Sequence, residues 1–260
     1  MLKEKQDIKS HYDSEGLIKG YVQNRFSKPL GKFLHERETS IVNLYIQKSN
    51  AESVLDLACG PARLTVDIET KNGTAFDNAK NMLSVAKKRL KGKKWKFVQG
   101  DAFNLKLKNK FDLIYSFRFF RHFNKEDRKS LLANVHSHLN DNSIFITDMA
   151  NIKFRDRSLK QSNESIDVVD YKIEKKEFIQ ELEDAGFEII EIDTVINHYN
   201  LQVNASRLYY LNLDSVAMAL IREFERYPPF AAQEFVFIAR KKWKKSLQSK
   251  NWINSLGNSK

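Results

Sequence analysis

Short apolar segments alternate with helical segments through the centre of the chain, and this alternation constrains the fold more than any other feature. Residues 53–58 and 111–117 are short and apolar, as buried strands are, whereas residues 79–90 have the apolar spacing of an amphipathic helix. Strands that are joined by helices run parallel, and helices then cover both faces of their sheet. We therefore predict an α/β fold, with further helices in residues 16–49.

The remaining elements follow from the same patterns. Strands are predicted at residues 73–77, 95–98, 143–147, 187–195 and 234–239, and helices at residues 62–70, 125–139, 174–185 and 201–226. Gly186 has the position of a helix C-cap, and Pro228-Pro229 ends the last helical region. Residues 151–170 are polar and predict a loop.

Composition limits the class of protein. Hydrophobic residues make up 42% and charged residues 30% of the 260 residues, which is typical of a globular protein. No segment approaches the ~18 apolar residues that a membrane-spanning helix needs, and the charged N-terminus has no hydrophobic signal core. We therefore expect a cytoplasmic protein. The single cysteine, Cys59, excludes an internal disulfide and a cysteine-rich zinc site, and no metal site is predicted.

The excess positive charge is concentrated at the C-terminus. Residues 240–260 contain seven Lys and Arg residues and no acidic residue, whereas the net charge of the whole chain is +11. Together with Trp243 and Trp252, this basic tail could attract an anionic membrane or the phosphates and bases of RNA. A tail that only keeps the protein in solution is an equally good interpretation.

Four motifs follow four of the predicted strands. Residues 54–64 join a strand to a turn at Gly60, where a ligand can approach the backbone closely. Asp77 ends the next strand, where a carboxylate can accept from both hydroxyls of a ribose. Residues 99–102 place an acid and a small residue where they suit an adenine, and the end of 111–117 would face the reacting group. The spacing G-x-G-x-x-G is absent, which argues against a dinucleotide-dependent dehydrogenase.

These motifs resemble those of a known family. VLDLACGPARL, TAFDNAKNMLSVAKKR, VQGDAFNL and FDLIYSFRFFRHF are similar to four motifs of class I S-adenosylmethionine (SAM)-dependent methyltransferases. Within that superfamily the chain looks most like the methyltransferase-11, ubiquinone/menaquinone methyltransferase-like group. The resemblance covers about residues 50–148 well and residues 187–195 and 232–240 more loosely.

The resemblance implies a Rossmann-like sheet of seven strands in the order 3-2-1-4-5-7-6, with the last strand antiparallel. It also implies SAM as cofactor and S-adenosyl-L-homocysteine (SAH) as its product. The residues expected to contact the cofactor are Asp56, Ala58, Gly60, Asp77, Asn78, Met82, Asp101, Ala102 and Ser116. Ala62 stands where the family often has a second glycine, so closer packing near the methionine end is expected.

The expected organisation has three parts, and the second contains an insertion. Residues 1–49 would form an N-terminal helical cap, residues 50–240 the methyltransferase domain, and residues 241–260 the basic tail. Within the domain, residues 197–230 would be a helical insertion that closes over the acceptor.

Several candidate residues have a second interpretation. Asp77 could be an ordinary N-cap of the helix that follows it, and Asp56 should hydrogen-bond the turn as well as lie near the cofactor. His122 could remove a proton from the acceptor, since imidazole titrates near neutral pH, or it could be a surface or helix-capping histidine.

The predicted function is direct in-line methyl transfer to a small-molecule or lipid-like acceptor. One alternative, an RNA methyltransferase, is favoured by the basic tail, but the usual D/N-P-P-Y/F motif is absent and Tyr227-Pro-Pro-Phe230 lies in the wrong place. The other alternative is a non-catalytic protein that binds SAM or a partner. Two departures from the family pattern leave this alternative open: Ala62 in place of the second glycine, and the degenerate turn at Asp141-Asn142.

Overall fold

The computed structural model describes residues 26–152, 171, 173–230 and 232–242. Their centre is one sheet of seven strands: β1 (Ser53–Leu57), β2 (Asn72–Asp77), β3 (Trp95–Gln99), β4 (Phe111–Ser116), β5 (Leu139–Ala150), β6 (Phe187–Val195) and β7 (Glu234–Lys241). The helices are α1 (Pro29–Ser49), α2 (Lys80–Arg89), α3 (Lys125–His138), α4 (Lys175–Asp184), α5 (Tyr199–Ser206) and α6 (Asp214–Glu225). Short 3-10 turns occur at Thr65–Asp67, Ala102–Asn104, Phe120–His122 and Arg207–Leu211.

The strand order is β3-β2-β1-β4-β5-β7-β6, which confirms the predicted topology. Strands β1 to β5 pair in parallel, while β7 is antiparallel to both β5 and β6. Because successive parallel strands need a crossover, their carboxyl ends meet at one edge of the sheet. This edge carries the motifs identified in the sequence.

Apolar side chains fill both faces of the sheet. Along β1, Val54 packs in a cluster that includes Ile41 of α1, whereas Leu55 packs in the opposite cluster with Leu131 of α3. Successive strand residues point to opposite faces, so a strand covered on both sides is mostly apolar. The short apolar runs of the sequence therefore correspond to strands buried on two faces.

The helix predicted at residues 62–70 is wrong. That segment forms turns and the short 3-10 turn Thr65–Asp67. Asn43 of α1 holds it in this shape, because its amide donates to the carbonyl oxygen of Asp67 at 2.9 Å and accepts from the backbone N–H of Glu69 at 3.0 Å. A contact from another helix thus outweighs the local preference for an α-helix.

Of the other predicted details, the position of Gly186 agrees with the structure and the length of β5 differs. Gly186 follows α4 with φ +91°, as expected of a glycine that ends a helix. β5 is longer than predicted because Leu139 also pairs with β4, and an irregularity in this pairing includes Asn142 at φ +62°. Most of the predicted loop 151–170, the residues before 26 and the tail after 242 lie outside the described residues.

The helical region before β7 lies at the same edge as the motifs. Both Ala150, at the end of β5, and Val195, at the end of β6, pair with Glu234. The segment that joins β6 to β7 must therefore emerge at the carboxyl edge of the parallel strands. Its helices α5 and α6 pack against α1. No helix in the described part of the chain combines the length and the apolar character needed to cross a membrane.

Candidate functional site

A cavity opens at the carboxyl edge of the sheet, where β1, β2 and β4 end. It is lined by Ala58, Gly60, Pro61, Phe76, Asp77, Asn78, Ala79, Met82, Gly100, Asp101, Ala102, Phe103, Phe117, Arg118, Phe119, His122 and Phe123. The set includes eight of the residues selected from the sequence: Ala58, Gly60, Asp77, Asn78, Met82, Asp101, Ala102 and His122. Asp56 borders a smaller adjoining cavity, and Ser116 borders neither.

The floor of the cavity is a strained loop after β1. Ala58, Gly60 and Ala62 have φ of +62°, +53° and +59°, and the left-handed region costs a non-glycine residue about 1–2 kcal/mol. A Cβ built on Gly60 would meet no protein atom within 4 Å, so it would extend into open space. The backbone of this loop is therefore open to a ligand, and the strain is concentrated where the ligand would lie.

Asp77 fixes the loop to the end of β2. Its Oδ2 accepts from the backbone N–H of Gly60 at 2.7 Å, and its Oδ1 accepts from the N–H of Ala79 at 2.8 Å. It is not the N-cap of α2, since that position is Ala79. A carboxylate has about four acceptor positions, so one that is oriented in this way can also accept from a ligand hydroxyl.

Asp101 lies one strand further along. Its Oδ1 accepts from the backbone N–H of Phe103 at 2.9 Å and caps the 3-10 turn Ala102–Asn104. The carboxylate is exposed, while Ala102 beside it is buried. This cap accounts for an acid at position 101 without a ligand, and the predicted contact with adenine stays a prediction.

Asp56 and Ser116 have structural contacts inside the sheet. Asp56 accepts hydrogen bonds from the Thr65 hydroxyl at 2.5 Å and from the Tyr115 hydroxyl at 2.8 Å. Burial raises the pKa of Asp56 to about 7, although these two donors lower it. Ser116 is fully buried and its hydroxyl donates to the carbonyl of Leu57 at 2.8 Å. Its side chain therefore joins β4 to β1 and does not reach the cavity where cofactor contact was predicted.

His122 ends the 3-10 turn Phe120–His122 and is largely buried against the cavity. It is neither a surface residue nor the cap of α3, because Asn124 caps that helix by accepting from the N–H of Asp127 at 2.9 Å. The rings of Phe119 and Phe123 pack edge to face at 4.9 Å nearby. The buried imidazole therefore shares the lining of the cavity with these two aromatic rings.

A buried network of charges, which the sequence did not indicate, lies at the same edge. Its members are Glu38, Arg63, Arg118, Arg121, Asp148 and Glu234. They come from α1, the loop after β1, the segment after β4, β5 and β7, so no sequence spacing connects them. Arg63, Arg118 and Arg121 lie within the quoted motifs, but nothing in the sequence indicated their acidic partners.

Within this network, Arg63 Nη1 lies 2.5 Å from Glu38 Oε2. Arg118 Nη2 lies 3.2 Å from Glu234 Oε1, and Arg121 pairs with Asp148. Burial raises the pKa of Glu38 despite these arginines.

Burial alone would also raise the pKa of Glu234, but Arg118 and Arg121 lower it. The pKa values of these two carboxyl groups at the same edge are therefore shifted in opposite directions.

The smaller cavity continues from the larger one. It is lined by Asp56, Ala58, Cys59, Gly60, Pro61, Arg63, Leu64, Phe117 and Arg118, five of which also line the larger cavity. A molecule could therefore extend from Asp77 and Asp101 past the Gly60 loop to Arg63 and Arg118. This shape suits a nucleoside joined to a short charged side chain, and the acid at the end of β2 suits its ribose.

Comparison with known proteins agrees with this geometry. Residues 54–142 match the family model described as "Methyltransferase domain". No curated protein sequence matches the chain.

Several solved structures are similar to this chain over more of its length than the family model. A S-adenosylmethionine-dependent methyltransferase from Clostridium acetobutylicum ATCC 824 is 16% identical with a TM-score of 0.57, over 80% of this chain and 92% of that one. Magnesium protoporphyrin IX methyltransferase (ChlM) from Synechocystis PCC 6803 with bound SAH is 15% identical with a TM-score of 0.63, over 92% and 100%. The N-methyltransferase NodS from Bradyrhizobium japonicum WM9 with SAH is 13% identical with a TM-score of 0.56, over 85% and 91%. At such identities the likeness shows a shared fold.

Proposed function

We propose that this chain, which carries a class I SAM-dependent methyltransferase domain, moves the methyl group of SAM to a small-molecule or lipid-like acceptor. The proposal rests on one observation. The backbone N–H of Gly60 donates to the Asp77 carboxylate at 2.7 Å, inside a cavity that continues to Arg118. The resemblance to the ubiquinone/menaquinone group is a finer prediction that the matched family model does not test.

The residues present fit SAM. Gly60 leaves space where a Cβ would stand, Asp77 offers oriented carboxylate oxygens to ribose hydroxyls, and Met82 and Ala102 offer apolar walls to an adenine ring. When bound, SAM supplies a sulfonium methyl group that is reactive toward nucleophiles.

The chain itself has to position the acceptor, exclude water and, where needed, accept a proton. Phe117 and Phe119 line the cavity with apolar rings, which can displace water once the acceptor is bound. His122 lies in the same wall and is the candidate group to accept a proton from the acceptor. Positioning and desolvation then account for most of the catalytic effect that we assign to the protein.

A concentration of exposed apolar residues in one segment supports a lipid-like acceptor. These residues are Leu201, Tyr209, Tyr210, Leu211, Leu213, Val216, Leu220, Tyr227 and Phe230. These are nine of the eleven large hydrophobic residues that are exposed in the described part of the chain. All nine belong to the segment between β6 and β7, which lies at the edge that holds the cavity. Exposed apolar side chains that form a contiguous patch are typical of surfaces that meet apolar partners.

The test is transfer of labelled methyl from SAM to fractionated cell extract. We expect label in the lipid or small-metabolite fraction, and loss of that label with Asp77→Ala. Label in RNA would favour the RNA methyltransferase, which the seven basic residues of 240–260 keep as the second candidate. Tight binding of SAM with no labelled product in any fraction would contradict catalysis and favour a binding protein.

A further inference from the structure

A second basic region, which the sequence motifs did not single out, lies in residues 80–110. This segment contains eleven Lys and Arg residues and one acid, Asp101, so its net charge is +10. Because the net charge of the whole chain is +11, all other residues together, the basic tail included, add only +1. The positive charge is therefore localised in this segment and in the tail.

The fold brings this charge to one edge of the sheet. Residues 80–110 form α2, the strand β3 and the connections on either side of β3. In the described part of the chain, β3 is an edge strand that pairs with β2 alone. Nine lysines of residues 87–96 and 106–110 are exposed, and we call these nine lysines the basic edge.

The basic edge extends over both faces of the sheet beside β3. On one face, Lys87 Nζ lies 5.9 Å from the ring centroid of Phe97, a contact that joins the end of α2 to β3. On the other face, Leu107 packs in the same apolar cluster as Val98 of β3, which brings residues 106–110 toward that strand. The lysines thus surround β3 and form one surface.

This surface is not neutralised by acids. In the described part of the chain, no ion pair joins any of the nine lysines to a carboxylate. On other surfaces exposed cations do have acidic partners, as Arg222 has Glu36 and Arg226 has Glu223. A set of like charges without counter-charges produces a positive potential that attracts a polyanion.

Protection of an exposed strand edge does not explain this pattern. Lysine on an edge strand hinders pairing with another chain, but only Lys96 belongs to β3, and the other eight lysines lie at the end of α2 and in the connections. The edge strand at the other end of the sheet, β6, carries the acids Glu188, Glu191 and Asp193 and no basic residue. The two edges therefore have opposite charge, which would direct a polyanion to the β3 edge.

The character of the surface favours nucleic acid over a membrane. Surfaces that bind a membrane interface usually insert apolar side chains, yet no large hydrophobic side chain of residues 80–110 is exposed. The nine exposed apolar residues of the segment between β6 and β7 lie toward the other end of the sheet. Six strand spacings of about 4.8 Å separate β3 from β6 by about 29 Å. Lysines alone are sufficient for contacts with a phosphate backbone.

We infer that the basic edge binds the phosphate backbone of double-stranded nucleic acid. Without an exposed aromatic side chain in residues 80–110, the surface has no platform for stacking bases, so binding is independent of sequence. The inference goes beyond the proposed function, since it does not depend on which acceptor receives the methyl group.

The test is fluorescence anisotropy of the full chain with a labelled DNA duplex of about 20 base pairs and with an RNA duplex of the same sequence. The basic-edge variant carries Lys88→Gln, Lys94→Gln, Lys96→Gln and Lys108→Gln. At about 0.1 M salt we expect it to bind both duplexes about 10- to 100-fold more weakly than wild type. The slope of log K against log salt for the DNA duplex should decrease by about 2–3, as for two or three lost phosphate contacts.

The control variant removes the same number of charges from other surfaces. Lys32, Lys125, Lys129 and Lys176 are exposed on α1, α3 and α4, and each is replaced by Gln. This variant should bind the duplexes nearly as wild type does, and both variants should bind SAH with unchanged affinity. If the basic-edge variant does not fold, Lys94→Glu combined with Lys108→Glu replaces it.

Three results would overturn the inference. The first is a wild-type protein that binds neither duplex. The second is an equal loss of affinity in the basic-edge and control variants, which would assign the binding to net charge or to the tail. The third is binding to phosphatidylserine vesicles that is lost in the basic-edge variant while duplex binding is unchanged, which would make this edge a membrane surface. A wild-type protein that binds the duplexes but not SAH would contradict the proposed function and leave the basic edge supported.

Discussion

Replacement of Asp77 by alanine should weaken cofactor binding far more than it weakens the fold. In the structure both carboxylate oxygens already accept backbone N–H groups, at 2.7 Å from Gly60 and 2.8 Å from Ala79. The charge is therefore shared, and we take the lower end of the about 1.5–3 kcal/mol range for each hydrogen bond to a charged group. Two ribose hydroxyls then contribute about 3 kcal/mol, which corresponds to about a 100-fold loss of SAH affinity.

The assay is calorimetry with SAH and with its 2′-deoxy analogue. If Asp77 accepts from the ribose, wild-type protein should bind the deoxy analogue more weakly, and that difference should vanish in Asp77→Ala. Asp184→Ala removes an exposed acid from α4, outside the cavity lining, and should change neither affinity. A folded Asp77→Ala protein that binds SAH as wild type does would refute the assignment.

Three further outcomes are expected. His122→Ala should slow single-turnover methyl transfer about 10²–10⁴-fold while SAH affinity stays near normal, and an unchanged rate would assign His122 to structure. Deleting residues 244–260 should leave folding and SAH binding intact, because β7 ends at Lys241, and should weaken binding to anionic vesicles more than to structured RNA at one ionic strength. Tail-dependent RNA binding without vesicle binding would reverse the lipid preference, and binding to neither would leave the tail a solubilising segment. Burial raises the pKa of Asp56 from 3.8 to about 7, so the folded state keeps a proton that the unfolded state releases. Its contribution to stability should therefore fall as the pH rises from about 4 to about 7, and Asp56→Asn should flatten this fall in urea denaturation. Identical pH profiles for both proteins would contradict the buried, proton-binding state.

The sequence by itself determined the parallel sheet and the position of its ligand edge. Short, mostly apolar segments such as residues 53–58 and 111–117 are buried on two faces, and this pattern is visible in the sequence. Gly60, Asp77 and Asp101 each follow a strand, and carboxyl ends of parallel strands converge. Their meeting in one cavity follows from local pattern and handedness, without knowledge of any long-range contact.

Local pattern was insufficient where a contact from elsewhere decided the outcome. Residues 62–70 are compatible with a helix, yet the Asn43 amide of α1 holds them in turns. Ser116 ends β4, but strand side chains alternate in direction, and its hydroxyl donates to the carbonyl of Leu57. The next residue, Phe117, lines the cavity, whereas the Ser116 hydroxyl is buried.

Only the tertiary structure assembled the charged network at the junction of the cavities. Glu38 and Glu234 are 196 positions apart in the chain, and they meet through Arg118 because α1 crosses the edge where β4 and β7 lie. Pairing between distant charges produces no periodic pattern in a sequence, since these side chains come within reach of one another only when the sheet has formed. The depth of burial that moves the pKa of Glu38 and Asp56 is likewise a property of the packed molecule.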